Sequence, residues 1–217
     1  MRVEDGAWDP NNPRDFYFNT TASSSLPSRL WRLRFNDIAN PTAGGVIDMM
    51  LNGTEGQIMM DNLAADADGN LLTNEDPGNN ARLARVAKYY PATDGYVPLG
   101  QSRASMFLTG GANFITQDEE ISGIIDVRGI LGNGAYLLVS QVHSGAAVGN
   151  DVELDEGGQL LLMQTGGSTP SISSQPASVT GGSGGSVTFS VTASPGAAIQ
   201  WFFNGAPIAG ATGSSYN

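Results

Sequence analysis

The stretch Leu30-Trp31-Arg32-Leu33-Arg34-Phe35 alternates apolar side chains with arginine. A period of two is the mark of a half-buried β-strand, and it puts Arg32 and Arg34 on one face. Comparable runs occupy residues 15–21, 84–90, 96–99, 135–142 and 159–164. Between them lie Gly44-Gly45, Asn52-Gly53, Asp68-Gly69 and Asp94-Gly95, pairs that favour tight turns. Turn signals about every 8 to 12 residues specify an all-β chain. Only residues 121–131 have a pattern compatible with a turn of helix.

Charge divides the chain. Of its 217 residues, 21 are acidic and 10 basic, for a net charge of -11. No Asp, Glu, Lys or Arg occurs from Gly157 to the end. Such a composition step marks two domains of different character. The acidic balance argues against nucleic acid, whose phosphates need clustered Lys and Arg. It suits a secreted protein, or one that holds divalent cations. Cysteine is absent, so neither a disulfide nor a thiolate site forms within the chain. No apolar run is long enough to span a membrane. Met1-Arg2-Val3-Glu4-Asp5 has no signal-peptide pattern, so a secretion signal is expected upstream.

Residues 165–174, with Gly166-Gly167 and Pro170, look like a flexible linker. Beyond it, Gln175-Pro176, the strand from Gly184 to Phe189, Trp201-Phe202-Phe203-Asn204-Gly205 and Ile208-Ala209-Gly210-Ala211-Thr212 resemble a bacterial immunoglobulin-like domain. The resemblance implies that residues 175–217 are the N-terminal part of such a sandwich. Trp201 would be its core tryptophan, and Val191 would stand where antibody domains have a disulfide cysteine. A spacer or adhesion role follows from it, not catalysis.

Acidic clusters recur near strands at Glu4-Asp5, Asp61, Glu75-Asp76 and Asp118-Glu119-Glu120. Three motifs resemble the PhoX-type alkaline phosphatase family. They are Arg2-Val3-Glu4-Asp5-Gly6-Ala7-Trp8-Asp9-Pro10; Asp61-Asn62-Leu63 with Asp68-Gly69-Asn70-Leu71; and Thr116-Gln117-Asp118-Glu119-Glu120 with Gly123-Ile124-Ile125-Asp126. The family is a β-propeller that holds iron and calcium in its channel and hydrolyses phosphate monoesters. The resemblance implies that residues 1–164 are C-terminal blades of a partial propeller. Glu4 would match the glutamate of the family's Arg-Pro-Glu-Asp motif, with Val3 in place of Pro. Asp61 would match the aspartate of its Pro-Asp-Asn motif, with Met60 in place of Pro. Glu120 would match a ligand glutamate in a late blade. The cysteine tied to iron in the true phosphatases has no counterpart here.

The expected metal set is therefore Glu4, Asp61 and Glu120, helped by Glu75, Asp76 and Glu119, with calcium as the ion and iron in the full-length parent. Arg2 and Arg82 are the candidates for holding a substrate phosphate, although an arginine beside an acid more often orients that acid. No catalytic residue can be assigned, and the fragment alone is expected to be inactive. The rival expectation is a non-catalytic surface protein, with the propeller as a platform for a surface ligand and immunoglobulin-like repeats as its stalk. His143, the sole histidine, is expected to be structural first and a metal or phosphate contact second. Asp66-Ala67-Asp68-Gly69-Asn70 lacks the distal glutamate of an EF-hand and is expected to be a hairpin turn.

Overall fold

The structure, a computed structural model, describes residues 2–144, 156–165, 172–182, 184–193, 197 and 199–217. Among them the chain is all-β, with only single turns of helix at Ala104–Phe107 (α1) and Arg128–Leu131 (α2). Its strands form several antiparallel sheets, none of which closes into a barrel. Two compact units are distinguished: Met1–Val127 with Tyr136–Met163, and Arg128–Ala135 with Gln164–Asn217.

Three meanders build the first unit. Strands β1 (Arg2–Trp8), β2 (Asp15–Thr21), β3 (Arg29–Phe35) and β4 (Gly45–Leu51) pair in chain order. So do β5 (Met60–Ala65), β6 (Leu71–Glu75), β7 (Arg85–Tyr90) and β8 (Gly95–Gln101). The third sheet has β9 (Glu119–Asp126), β10 (Ala135–Val142) and β11 (Gly157–Gln164), with β9 at one edge. The turns follow from local chemistry. Asp66 accepts the N–H groups of Asp68 at 2.9 Å and Asn70 at 3.0 Å, and Gly69 takes φ +79°, which closes the β5–β6 hairpin. Within residues 121–131 the turn of helix is α2, while 121–126 are extended and their buried side chains, Ile121 and Ile124, pack on the second sheet.

The alternation in β3 sorts as its sequence demands. Arg32 and Arg34 share a face with Leu30 and form ion pairs there with Asp48 and Asp15. The Arg34 guanidinium holds the buried Asp15 carboxyl below its ordinary value. Two apolar layers then join the sheets. Tyr17, Leu30 and Leu51 meet Met60, Leu63, Leu71 and Tyr89 between the first and second. Leu72, Ala84 and Val86 meet Ile121, Ile124, Tyr136 and Leu138 between the second and third. The consequence for function is positional: β1 lies beside β5, and β5 beside β9, so the first strand of each sheet neighbours the first strand of the next.

In the second unit, Thr165 donates its N–H to the Gly134 carbonyl at 2.8 Å, which ties residues 128–135 to it. Short strands pair as β12 (Ile172–Ser174) with β14 (Thr192–Ala193), β13 (Phe189–Ser190) with β17 (Ser215–Tyr216), and β15 (Phe202–Phe203) with β16 (Ala206–Pro207). Asn204 and Gly205, both at positive φ, turn the last hairpin. Trp201 lies between Phe189 and Tyr216, with ring centroids 6.5 and 6.2 Å away, and its Nε1 donates to the Gly213 carbonyl. Val187, Phe189 and Val191 are half-buried while Thr188 and Ser190 are exposed, the period of two of a strand. Residues 166–171, most of the expected linker, lie outside the described residues, whereas 172–174 form β12.

Candidate functional site

A β-bulge interrupts each first strand. In β1 the register shifts between Val3 and Gly6, so Glu4-Asp5 is the irregular pair. In β5 it shifts between Met60 and Leu63, around Asp61-Asn62. In β9 the extra residue is Gly123, at φ +50°. A bulge bends a strand and re-aims its side chains, which is why bulges gather at functional sites.

Side-chain oxygens at two of these bulges fasten the next strand. Asp5 Oδ2 accepts the Leu63 N–H at 3.0 Å, and Asn62 Oδ1 accepts the Gly123 N–H at 3.1 Å. Asn19, fully buried on β2, adds a brace: its Oδ1 accepts the Asp5 N–H and its Nδ2 donates to the Asp61 carbonyl. These are directional bonds between neighbouring sheets, and they fix where Glu4, Asp61 and Glu120 stand.

Asp61 reports the result. Its carboxyl is pushed up to about 6, first by burial and then by the negative charges of Glu120, Asp76, Glu4 and Asp5. Acids up to 59 positions away along the chain therefore act on Asp61. Glu4 Oε1 is buried without a hydrogen-bond partner; Arg2 Nε approaches it at 3.2 Å as an ion pair without hydrogen-bond alignment. Asp76 Oδ1 accepts the Gly78 N–H. Glu120 is bonded by the Ser122 hydroxyl and faces His143 Nε2 at 3.4 Å. His143 Nδ1 meets Glu156 at 3.0 Å, and that contact, with help from Glu120, raises the imidazole's pKa against the effect of burial.

The donors are carboxylate oxygens in excess of any neutralising charge, which is the chemistry calcium takes. Even so, among the described residues no group of three or more His, Asp and Glu side chains is drawn together tightly enough to be a ready-made cage. The fit is thus one of donor type and charge, with the carboxylates clustered but spread.

The remaining expected residues stand elsewhere. Glu75 is buried and engaged by Arg82, whose Nε donates to Oε2 at 2.8 Å and whose other arm reaches Oε1 and the Gly56 carbonyl. Arg82 therefore orients an acid rather than presenting itself to a phosphate. Glu119 is on the opposite face of β9 from Glu120, buried toward the second sheet, where Oε1 accepts the Ala84 N–H at 2.9 Å. Burial raises its pKa, and its Oε2 has no hydrogen-bond partner. Neither Glu75 nor Glu119 supplies the charges that act most on Asp61.

Two features had no clear sequence signal. The chain's one lysine, Lys88, is buried between the second and third sheets, 2.6 Å from Asp66 Oδ2 and 3.0 Å from the Tyr136 hydroxyl. A cavity of about 720 Å³ also lies between these sheets, lined largely by apolar residues such as Val86, Phe107, Ile121, Leu138 and Met163. None of the expected site residues lines it. Compared with models of known protein families and with curated proteins, the chain has no significant match in either.

Proposed function

We propose that the three meanders are blades of a calcium-binding β-propeller belonging to a secreted, metal-dependent phosphate-ester hydrolase of the PhoX type. The carrying observation is the raised pKa of Asp61 under the charges of Glu120, Asp76, Glu4 and Asp5. Side-by-side first strands support the propeller reading, because in that architecture the innermost strands surround a shared channel. In this reading Glu4, Asp61 and Glu120 hold the ion, with Asp76 and Asp5 adding negative charge. Bound calcium would supply positive charge for the phosphate oxygens. In the same reading Arg2, mostly exposed beside Glu4, would meet the substrate phosphate. The second unit serves as an immunoglobulin-like spacer.

The engagement of Arg82 by Glu75 favours a second reading, in which the sheets are a non-catalytic platform for a surface ligand. Hydrolysis of a phosphate monoester by the complete secreted polypeptide, with calcium and iron supplied, separates the two. The hydrolase reading expects turnover that a chelator abolishes and that Glu4→Gln and Glu120→Gln each reduce at least about a hundredfold. Calcium binding without any turnover would leave the platform.

A further inference from the structure

Three Asn-Gly pairs occur in the chain: Asn52-Gly53, Asn133-Gly134 and Asn204-Gly205. Such a pair can modify itself, because a glycine nitrogen with no side chain beside it can attack the preceding asparagine's amide carbon. How fast it does so depends on how the surroundings hold the nucleophile, its proton and the amide oxygen.

The turn after β4 makes contacts to all of these. Glu55 Oε2 accepts the Gly53 N–H at 3.0 Å, so a carboxylate meets the proton that the nucleophile must lose. Asn52 Oδ1 receives the Thr54 N–H and the Thr54 hydroxyl, both at 2.9 Å, so two donors face the oxygen that becomes negative during attack. The Thr54 N–H closes an Asx turn, which folds the Asn52 side chain back over the Gly53 peptide. Buried Gln57 donates its Nε2 to the same Glu55 oxygen at 3.0 Å and fixes it in place. Gly53 stands at φ +105°, and an added Cβ would lie 2.4 Å from Pro27 Cβ, so this backbone needs glycine. Asn52 and Thr54 are exposed, and water reaches them. At the other two pairs, among the described residues, no side chain accepts the glycine N–H and neither asparagine side chain receives a hydrogen bond.

We propose that Asn52-Gly53 is a self-modifying site, with Glu55 as its general base and Thr54 holding the developing oxyanion. The Gly53 nitrogen bonds to Asn52 Cγ as its proton passes to the Glu55 carboxylate. Glu55 then returns a proton to the amide nitrogen, the C–N bond breaks, and ammonia leaves. The product is a succinimide linking residues 52 and 53, and Glu55 ends as it began. Water opens that ring at either carbonyl and leaves aspartate or isoaspartate where a neutral amide stood. Nothing is oxidised or reduced, and solvent water is the only co-reactant. The turn lies outside the carboxylate cluster of β1, β5 and β9.

Peptide mapping by mass spectrometry, on protein held at neutral pH either folded or unfolded in urea, tests this with the other two pairs as internal references. In the folded protein Asn52 should convert at least about tenfold faster than Asn133 and Asn204, and unfolding should bring the three rates together. Glu55→Gln preserves shape but supplies no base, and should slow conversion of Asn52 at least about tenfold without changing the other two pairs. Thr54→Val removes the hydroxyl but keeps the N–H, and should slow it less. Both substituted positions are exposed, and a thermal melt verifies that the variants fold. Slower conversion of Asn52 in the folded protein than in urea would overturn the proposal, because the turn would then protect the amide. An unchanged Asn52 rate in Glu55→Gln would overturn it as well.

Discussion

Asp61 is held in a state that costs the fold stability. Its carboxyl is pushed up to about 6 from its usual 3.8, so the folded protein holds that proton more tightly than the unfolded chain does. Stability from this group is fully present below the unfolded value and is lost as pH rises through about 6. Asp61→Asn should therefore stabilise the cation-free protein at neutral pH by about 2 kcal/mol, after allowance for partial exposure, measured as a higher urea midpoint. Glu119 has the same sign, first from burial and then from the charge of Asp118. Glu119→Gln keeps an oxygen for the Ala84 N–H and should raise the midpoint at pH 7, with the gain shrinking toward pH 4. Lys88 and Asp66 behave oppositely. Within their pair Lys88 is raised and Asp66 lowered, so their contribution persists at neutral pH and fades as pH falls through the folded value of Asp66. Lys88→Met strands a buried carboxylate and should cost about 3–5 kcal/mol in the same measurement. Glu4, Asp61 and Glu120 were legible as acids near strands. That Arg82 faces Glu75 and that Glu119 turns from the site were not, because strand alternation decides them and the register of β9 is fixed by a bulge.

Strands with a strong period or a plain turn were easy to read. Residues 15–21 and 135–142 match β2 and β10 along their whole lengths. β1 and β4 carried little signal: β1 holds Glu4, Asp5 and Gly6, and β4 is apolar almost throughout. The bulges explain both the poor legibility of first strands and their use. At Gly6 an added Cβ would stand 2.4 Å from Phe16 Cζ and 2.9 Å from the Tyr17 carbonyl oxygen. At Gly123 the space is open, but φ is +50°. Gly6→Ala should cost about 1–3 kcal/mol by overpacking, and Gly123→Ala about 1–2 kcal/mol from backbone strain. Asp5→Ala removes the acceptor for the Leu63 N–H and should cost about 1–3 kcal/mol, again by urea melts.

For the molecule as a whole, charged residues end at Glu156, while the main segment of the second unit begins at Gln164. The capture of residues 128–135 by that unit has no compositional trace, since it depends on bonds from Thr165 to the Gly134 carbonyl and from the Gln164 side chain to the Asn133 carbonyl. Long-range convergence is likewise invisible to spacing: it arises because three meanders stack with first strands together. The most direct check of that convergence is a thermal melt with and without calcium, on the wild type and on Asp61→Asn. Calcium should raise the wild-type melting temperature and leave Asp61→Asn unmoved, although that variant starts higher without the ion. An identical calcium response in both proteins, or none in the wild type at millimolar calcium, would contradict a shared carboxylate site on β1, β5 and β9.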